Sequence, residues 1–78
     1  MLNVTVVSPE KTLFTGQVNS VFVPGKKGKF EILQNHAPIV SILTEGIVRC
    51  VGTETFEIAI KAGFVEVSNN EVSVCIEV

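Results

Sequence analysis

Gly28-Lys29-Phe30-Glu31-Ile32-Leu33-Gln34-Asn35-His36-Ala37-Pro38-Ile39-Val40-Ser41-Ile42-Leu43 is the stretch on which the fold turns. Two apolar runs, Phe30 to Leu33 and Ile39 to Leu43, flank the segment Gln34 to Pro38. The runs read as strands and the middle as an ordered turn. Pro38 holds its own φ at about −65°, lacks an N–H, and pushes Ala37 out of the helical region. Asn35 tolerates left-handed φ and can hydrogen-bond within its turn. His36, the chain's single histidine, stands at the apex. A rigid loop carrying one amphipathic ring is a candidate contact point.

Period-two patterning continues on both sides of this stretch. Upstream, Leu2, Val4 and Val6 alternate with Asn3 and Thr5, which is the mark of a strand. Ser8-Pro9-Glu10-Lys11 reads as a turn, and Thr12 to Thr15 as a short strand closed by Gly16. Gln17 to Val23 reads as the next strand, with apolar residues on both faces: Val21 and Val23 on one, Val18 and Phe22 on the other. Pro24-Gly25-Lys26-Lys27-Gly28 has turn composition, and its charge continues into Lys29.

Downstream, Thr44-Glu45-Gly46 turns and Ile47 to Val51 reads as a strand. Phe56, Ile58 and Ile60 alternate with Glu57, Ala59 and Lys61 beyond the hairpin loop Gly52-Thr53-Glu54. Ala62-Gly63 marks a bulge or a close backbone approach before Phe64 to Val67. Ser68-Asn69-Asn70 is a hairpin turn, and Val72, Val74, Ile76 and Val78 share one face of the last strand. No helical period occurs anywhere. The pattern predicts one all-β domain over residues 1–78: an antiparallel β-sandwich or flattened barrel of about ten short strands in two sheets.

Composition narrows the function. The chain is 78 residues long and 46 % apolar, with a net charge of −2. A single small core leaves a thin stability margin, so some apolar surface is expected to be covered by another chain. Only six Lys and Arg are present, and Trp and Tyr are absent, which argues against nucleic-acid binding. The five Phe residues are spread at strand spacing, as core rather than as a stacking platform.

Cys50 and Cys75 lack metal-ligand spacing and read as thiols in a reducing compartment, with a disulfide open to them only if their strands are neighbours. Met1-Leu2-Asn3 has no charged leader region, and no apolar run nears the roughly 20 residues of a membrane span. A soluble, cytoplasmic chain that is monomeric when isolated is expected, with any membrane attachment made through a complex.

No catalytic constellation is visible. His36 has no evident partner for nucleophilic chemistry, and Glu54 and Glu57 read as solvated carboxylates. Gly25-Lys26-Lys27-Gly28 is too short to cradle phosphate and opens no helix. No catalytic residue, cofactor or metal is expected. Lys26, Lys27 and Lys29 read as a solvated tip or as a contact for an acidic or polar surface. A small lipoyl or biotinyl carrier domain is the alternative all-β reading. Such a domain presents its lysine between small or Met neighbours at a hairpin tip, a pattern that neither the tip lysines nor Lys61 shows.

The central stretch and its flanks also resemble a known family. Gly28, Phe30, Leu33 and His36-Ala37-Pro38 match the hallmark of the epsilon subunit of F-type ATP synthase, called delta in mitochondria. Val7-Ser8-Pro9-Glu10 with Leu13-Phe14-Thr15-Gly16 resembles its opening motif. Thr44 to Arg49 resembles its Pro-Gly-x-x-Arg segment, and Ala62 to Val67 followed by Asn70 to Val74 resembles its ending. The resemblance runs through the whole chain and implies the family's N-terminal β-sandwich, of two five-stranded sheets. The two C-terminal helices of typical members have no counterpart within these residues.

The resemblance further implies a non-catalytic rotor subunit in the central stalk. It would link the gamma subunit to the membrane c-ring, so that proton or sodium flow drives ATP synthesis. Its expected place is peripheral, on the cytoplasmic side of a bacterial inner membrane. Carried over by position, Ser8, His36 and Ser41 face gamma, with Ala37 and Pro38 as neighbours. Phe22 is added to that set for its unmatched apolar face. The turn at Lys29, with Lys26, Lys27 and Ile39, faces the polar loops of the c-ring. The family's usual Gly before the histidine is Asn35 here, and Lys29 replaces an acidic residue common near the ring-facing tip.

Overall fold

The computed structural model describes Met1–Val78 and contains nine strands and no helix. They are β1 (Leu2–Val7), β2 (Thr12–Val18), β3 (Ser20–Gly25), β4 (Gly28–Leu33), β5 (Ile39–Leu43), β6 (Gly46–Val51), β7 (Thr55–Ile60), β8 (Ala62–Ser68) and β9 (Glu71–Glu77). The ladder runs β2-β1-β9-β8-β5-β3-β6-β7, and β4 also pairs with β3. The link from β5 to β3 is a single bridge, Gly25 opposite Leu43. There the ladder bends into two layers, β2-β1-β9-β8-β5 and β4-β3-β6-β7. The expected all-β sandwich or flattened barrel is present, with layers of five and four strands instead of five and five.

Every pairing is antiparallel except that of β1 with β9, which runs parallel from Asn3 opposite Glu71 to Val7 opposite Cys75. The two ends of the chain therefore lie side by side. A parallel pair needs a long connection, and here almost the whole chain supplies it.

Two expected breaks are displaced. Gly16 does not end a strand: β2 runs through it, with Gly16 opposite Val4. The reason is Phe14, whose ring covers the glycine so closely that an added Cβ would lie 3.4 Å from it. An aromatic ring over a strand glycine restores the packing that glycine lacks. The break falls instead at Asn19, whose N–H donates to the Val51 carbonyl at 2.7 Å. Likewise Pro24 and Gly25 finish β3 and Gly28 opens β4, so the turn is Lys26-Lys27 alone. Pro24 is tolerated in the strand because it lies past Phe22, the last β3 residue paired with β6.

Alternation builds the core directly. Leu2, Val4 and Val6 of β1, Val65 and Val67 of β8, and Val72, Val74 and Ile76 of β9 face inward from one layer. Val21 and Val23 of β3, Ile32 of β4, and Val48 and Cys50 of β6 meet them from the other. Phe14 of β2 stacks on Phe56 of β7, with ring centroids 4.9 Å apart, and closes one seam of the flattened barrel.

At Gly63 the expected close approach is realised. A Cβ there would run into the Cys75 carbonyl oxygen and the Ile76 Cα on β9. Both obstacles are backbone, so nothing flexible is left to yield. Gly63→Ala is expected to cost about 1–3 kcal/mol, lowering Tm by several degrees in calorimetry; an unchanged Tm would show that β8 and β9 can separate.

The two cysteines are free. Cys50 points into the core from β6, while Cys75 points outward from β9 and is half-buried. The β9 layer stands between them, so they form no bridge in the fold. Burial pushes the Cys50 thiol from 9.0 up to about 11. Folding thus favours the neutral thiol, and that preference is fully present below the unfolded-state value. As pH rises from 9.0 towards about 11 the unfolded chain ionises first, and stability falls. A maleimide should therefore label Cys75 alone in the folded chain. The alkaline loss of Tm should be smaller in Cys50→Ala, each variant being compared with its own value at neutral pH.

Candidate functional site

The turn between β4 and β5 is held from three directions. The His36 N–H donates to the Leu33 carbonyl at 3.1 Å, which closes the turn. Asn35 takes φ +66°, and its N–H donates to the Asn70 Oδ1 at 2.6 Å. Asn70 lies in the β8–β9 turn, where Asn69 and Asn70 have φ of +50° and +61°. Paired positive φ is the geometry of a two-residue hairpin, and Asn adopts it with little strain. The Asn70 carbonyl in turn accepts the Asn3 N–H at 2.8 Å. The His36 turn is thereby tied to the start of β1. Asn35 supplies the left-handed residue that this turn requires.

His36 itself is half-buried, with Nδ1 2.7 Å from the Ala37 carbonyl oxygen. A carbonyl oxygen only accepts, so Nδ1 is the donor in that contact. The ring lines a cleft of about 690 Å³ between the β3–β4 hairpin and β5. Lys26, Lys27 and Lys29 form its cationic wall, and Phe30, Ile39, Val40 and Ile42 its apolar one, with Ser41 between them. The three lysines are exposed, and none pairs with a carboxylate. This cleft is the second seam of the barrel. It is crossed only at its end, where the Lys26 N–H donates to Ile42 and the Thr44 N–H to Pro24, both at 2.9 Å.

Beside the cleft, the outward face of β5 is apolar, and Phe64 on β8 adjoins it, with Glu66 opposite Val40. Val40 is 68 % exposed, Ile42 58 % and Phe64 43 %. Register places Ile42 opposite Phe64, Phe64 opposite Cys75, and Cys75 opposite Val7. A nearly continuous apolar row thus crosses four strands and ends beside Ser8. Soluble monomers seldom leave such a row uncovered.

A second apolar spot lies on the other layer. Phe22 points outward from β3, flanked by Glu31 on β4 and Arg49 on β6. The Arg49 guanidinium lies 5.8 Å from the ring centroid and pairs with Glu57 at 3.3 Å. Both members of that ion pair are half exposed, so it adds little stability. Phe22, Ile47 and Arg49 line a cleft of about 580 Å³. Lys29 and Phe30 border both clefts.

The structure therefore gathers His36, Ser41, Lys26, Lys27, Lys29 and Ile39 in one cleft; Ala37 and Pro38 are exposed in the turn but do not line it, Pro38 facing Asn69 and Asn70 instead. Ser8 stands at the far end of the apolar row. Phe22 does not line that cleft: it points outward from β3 into the second one, which it shares with Lys29. Val40, Ile42 and Phe64 are further surface residues. For Val40 and Ile42 the signal is the run Ile39 to Leu43, in which the outward positions carry no polar side chain; Phe64 lies on β8, at a position that alternates with the inward Val65 and Val67. No three His, Cys, Asp or Glu side chains converge as a metal site anywhere in the chain.

Known proteins share both this sequence and this fold. The chain is 47 % identical over 74 residues to the ATP synthase epsilon chain of Leptospira borgpetersenii serovar Hardjo-bovis, a match covering 94 % of this chain and 58 % of that one. It is 43 % identical over 70 residues to the ATP synthase epsilon chain of Chlorobaculum tepidum, covering 85 % and 77 %. It thus spans somewhat over half the length of the Leptospira relative. In fold it superposes on a chain of the Euglena gracilis mitochondrial ATP synthase, OSCP/F1/c-ring, with a TM-score of 0.88 at 18 % identity, covering 96 % of this chain and 49 % of that one. A chain of the central stalk/c-ring of the Tetrahymena thermophila mitochondrial ATP synthase gives 0.83 at 16 %, covering 99 % and 63 %. Residues 1–78 match throughout the family described as ATP synthase, Delta/Epsilon chain, beta-sandwich domain, and the chain belongs to that family.

Proposed function

We propose that this domain acts in the central stalk of an F-type ATP synthase, as the non-catalytic coupling element between the gamma subunit and the c-ring. In that role it turns with the shaft and passes ion-driven rotation towards ATP synthesis. Its place is peripheral, on the cytoplasmic side of a bacterial inner membrane, and held there by the complex.

The observation that carries this reading is the exposed row Ile42, Phe64, Cys75 and Val7, which ends at Ser8, with Val40 exposed beside Ile42 on β5. Covering a side chain of this kind is worth up to about 1.5–3 kcal/mol when complete. A partner that covers the row and binds only the folded domain also stabilises it by mass action. Gamma is the proposed cover, with Ser8, His36, Ala37, Pro38 and Ser41 at the margins. The lysine hairpin and Ile39 then meet the polar loops of the c-ring. Phe22 contacts gamma only if gamma reaches round to the second layer.

Ile42→Asp and Phe64→Asp put a charge on exposed positions and should leave the fold intact. Co-purification with gamma should drop by about tenfold or more for each, while circular dichroism stays that of the parent. Undiminished binding by the double variant would sink the docking face. Phe22→Asp is the companion measurement: lost gamma binding assigns Phe22 to the same interface, and unchanged binding removes it.

A further inference from the structure

We infer that the seam between β4 and β5 is a receptor for an extended, acidic segment of a partner polypeptide, which adds as a strand to the free edge of β5. The backbone of β5 supports this first. In an antiparallel ladder, alternate residues direct their N–H and C=O groups to opposite sides. Leu43 stands opposite Gly63 on β8, while the Ile42 carbonyl accepts the Lys26 N–H from the other side. Val40, two residues earlier, therefore also turns its N–H and C=O away from β8. The only pairing on that side is the bridge at Leu43, so no strand lies against Val40. Its main chain faces the cleft as an open edge.

The lining then selects the occupant. Three of the chain's six cationic residues stand on the opposite wall, exposed and without a carboxylate partner. Acidic residues outnumber basic ones, eight to six, in the chain as a whole, so this wall is a local reversal of sign. Phe30, Ile39 and Val40 supply apolar contacts between the two rims. A segment that alternates acidic and apolar side chains satisfies all three demands at once. Main-chain hydrogen bonds give affinity in strand addition, and alternate side chains give the choice of partner. An anionic lipid surface is the poorer match: the site is concave, and three lysines alone give only weak, reversible attraction to a membrane.

The inference rests on the stalk reading for the source of the segment, a neighbouring subunit, but not for its chemistry. The two are tested apart. For the chemistry, amide exchange at Val40 is followed by NMR in the full chain with end-blocked peptides alternating aspartate and valine, or lysine and valine. The aspartate peptide should slow exchange at Val40 by about tenfold or more, and the lysine peptide should leave it unchanged. Val40→Ala should weaken aspartate-peptide binding only by the lost apolar contact, severalfold, and Val40→Pro should abolish it, because proline is accommodated on an open edge but cannot donate. Lys26→Glu/Lys27→Glu/Lys29→Glu should lose it as well. Equal protection by both peptides, no protection by either, or binding retained in Val40→Pro would overturn the inference. Binding to phosphatidylglycerol vesicles that competes with the peptide and exceeds it in strength would do the same. For the source, a zero-length carbodiimide should join the three lysines to carboxylates of gamma or the c-ring in the assembled complex. Peptide recognition without that cross-link keeps the receptor and rejects the stalk as its setting.

Discussion

Two backbone hydrogen bonds, Lys26 to Ile42 and Thr44 to Pro24, join the layers of this domain at one end. They flank the single bridge at which the ladder passes from β5 to β3. Everything around that bridge follows from chain geometry. Thr44 and Glu45 must turn β5 into β6 immediately beyond it, and Gly46 must pass against Pro24, where an added Cβ would stand 2.7 Å from the proline Cβ. Gly25 must sit under Phe30 with no side chain of its own. The bridge cannot extend further, because β3 ends there and the lysine turn begins. β4 and β5 consequently part, and the cleft is the space they leave.

The other seam shows what full closure looks like in the same molecule. Phe14 and Phe56 stack across it, and Gly52 packs its backbone against Val18. No aromatic pair spans the β4–β5 side; Phe30 stays half-buried on the cleft wall. A domain of this size buries few residues, 19 of 78 here, and cannot lightly forgo apolar burial. Leaving Val40, Ile42 and Phe64 in water beside an open seam is therefore a local loss of stability. Such losses persist where a neighbour makes them good, and the loss is concentrated on one side of the molecule.

How much of this can be read from sequence depends on how local the cause is. β1, β7 and β9 are legible because their inward and outward positions alternate cleanly, as in Leu2, Val4 and Val6. The turns at Asn69-Asn70 and at His36 are legible from residues that tolerate positive φ or forbid helix. Gly16 misleads, because the ring that covers it comes from Phe14 on the same strand, a contact that composition does not encode. The parallel pairing of β1 with β9 is invisible to any local pattern, since it joins the two ends of the chain. The site divides in the same way. The lysines and His36 are visible as residues, and the family resemblance assigns them to two different partners, the c-ring and gamma. That they face each other across a cleft depends on β5 crossing to β3 at Gly25. Phe22 joins them on hydrophobicity alone, and its outward direction on β3 puts it in the neighbouring cleft instead.

An open strand edge flanked by apolar side chains is ordinarily an invitation to self-association. Here the same groups that shape the cleft oppose it. Pro38 stands immediately before β5 and cannot donate, so the free edge cannot lengthen in that direction. The exposed lysines crowd the approach, and a second copy would bring its own lysine wall against them. Like charges meeting at a docking edge disfavour that pairing, while an acidic strand meets attraction along the same path. One set of side chains thus sets both the accepted partner and the rejected one, so the edge can stay open in the free chain without becoming a site of aggregation.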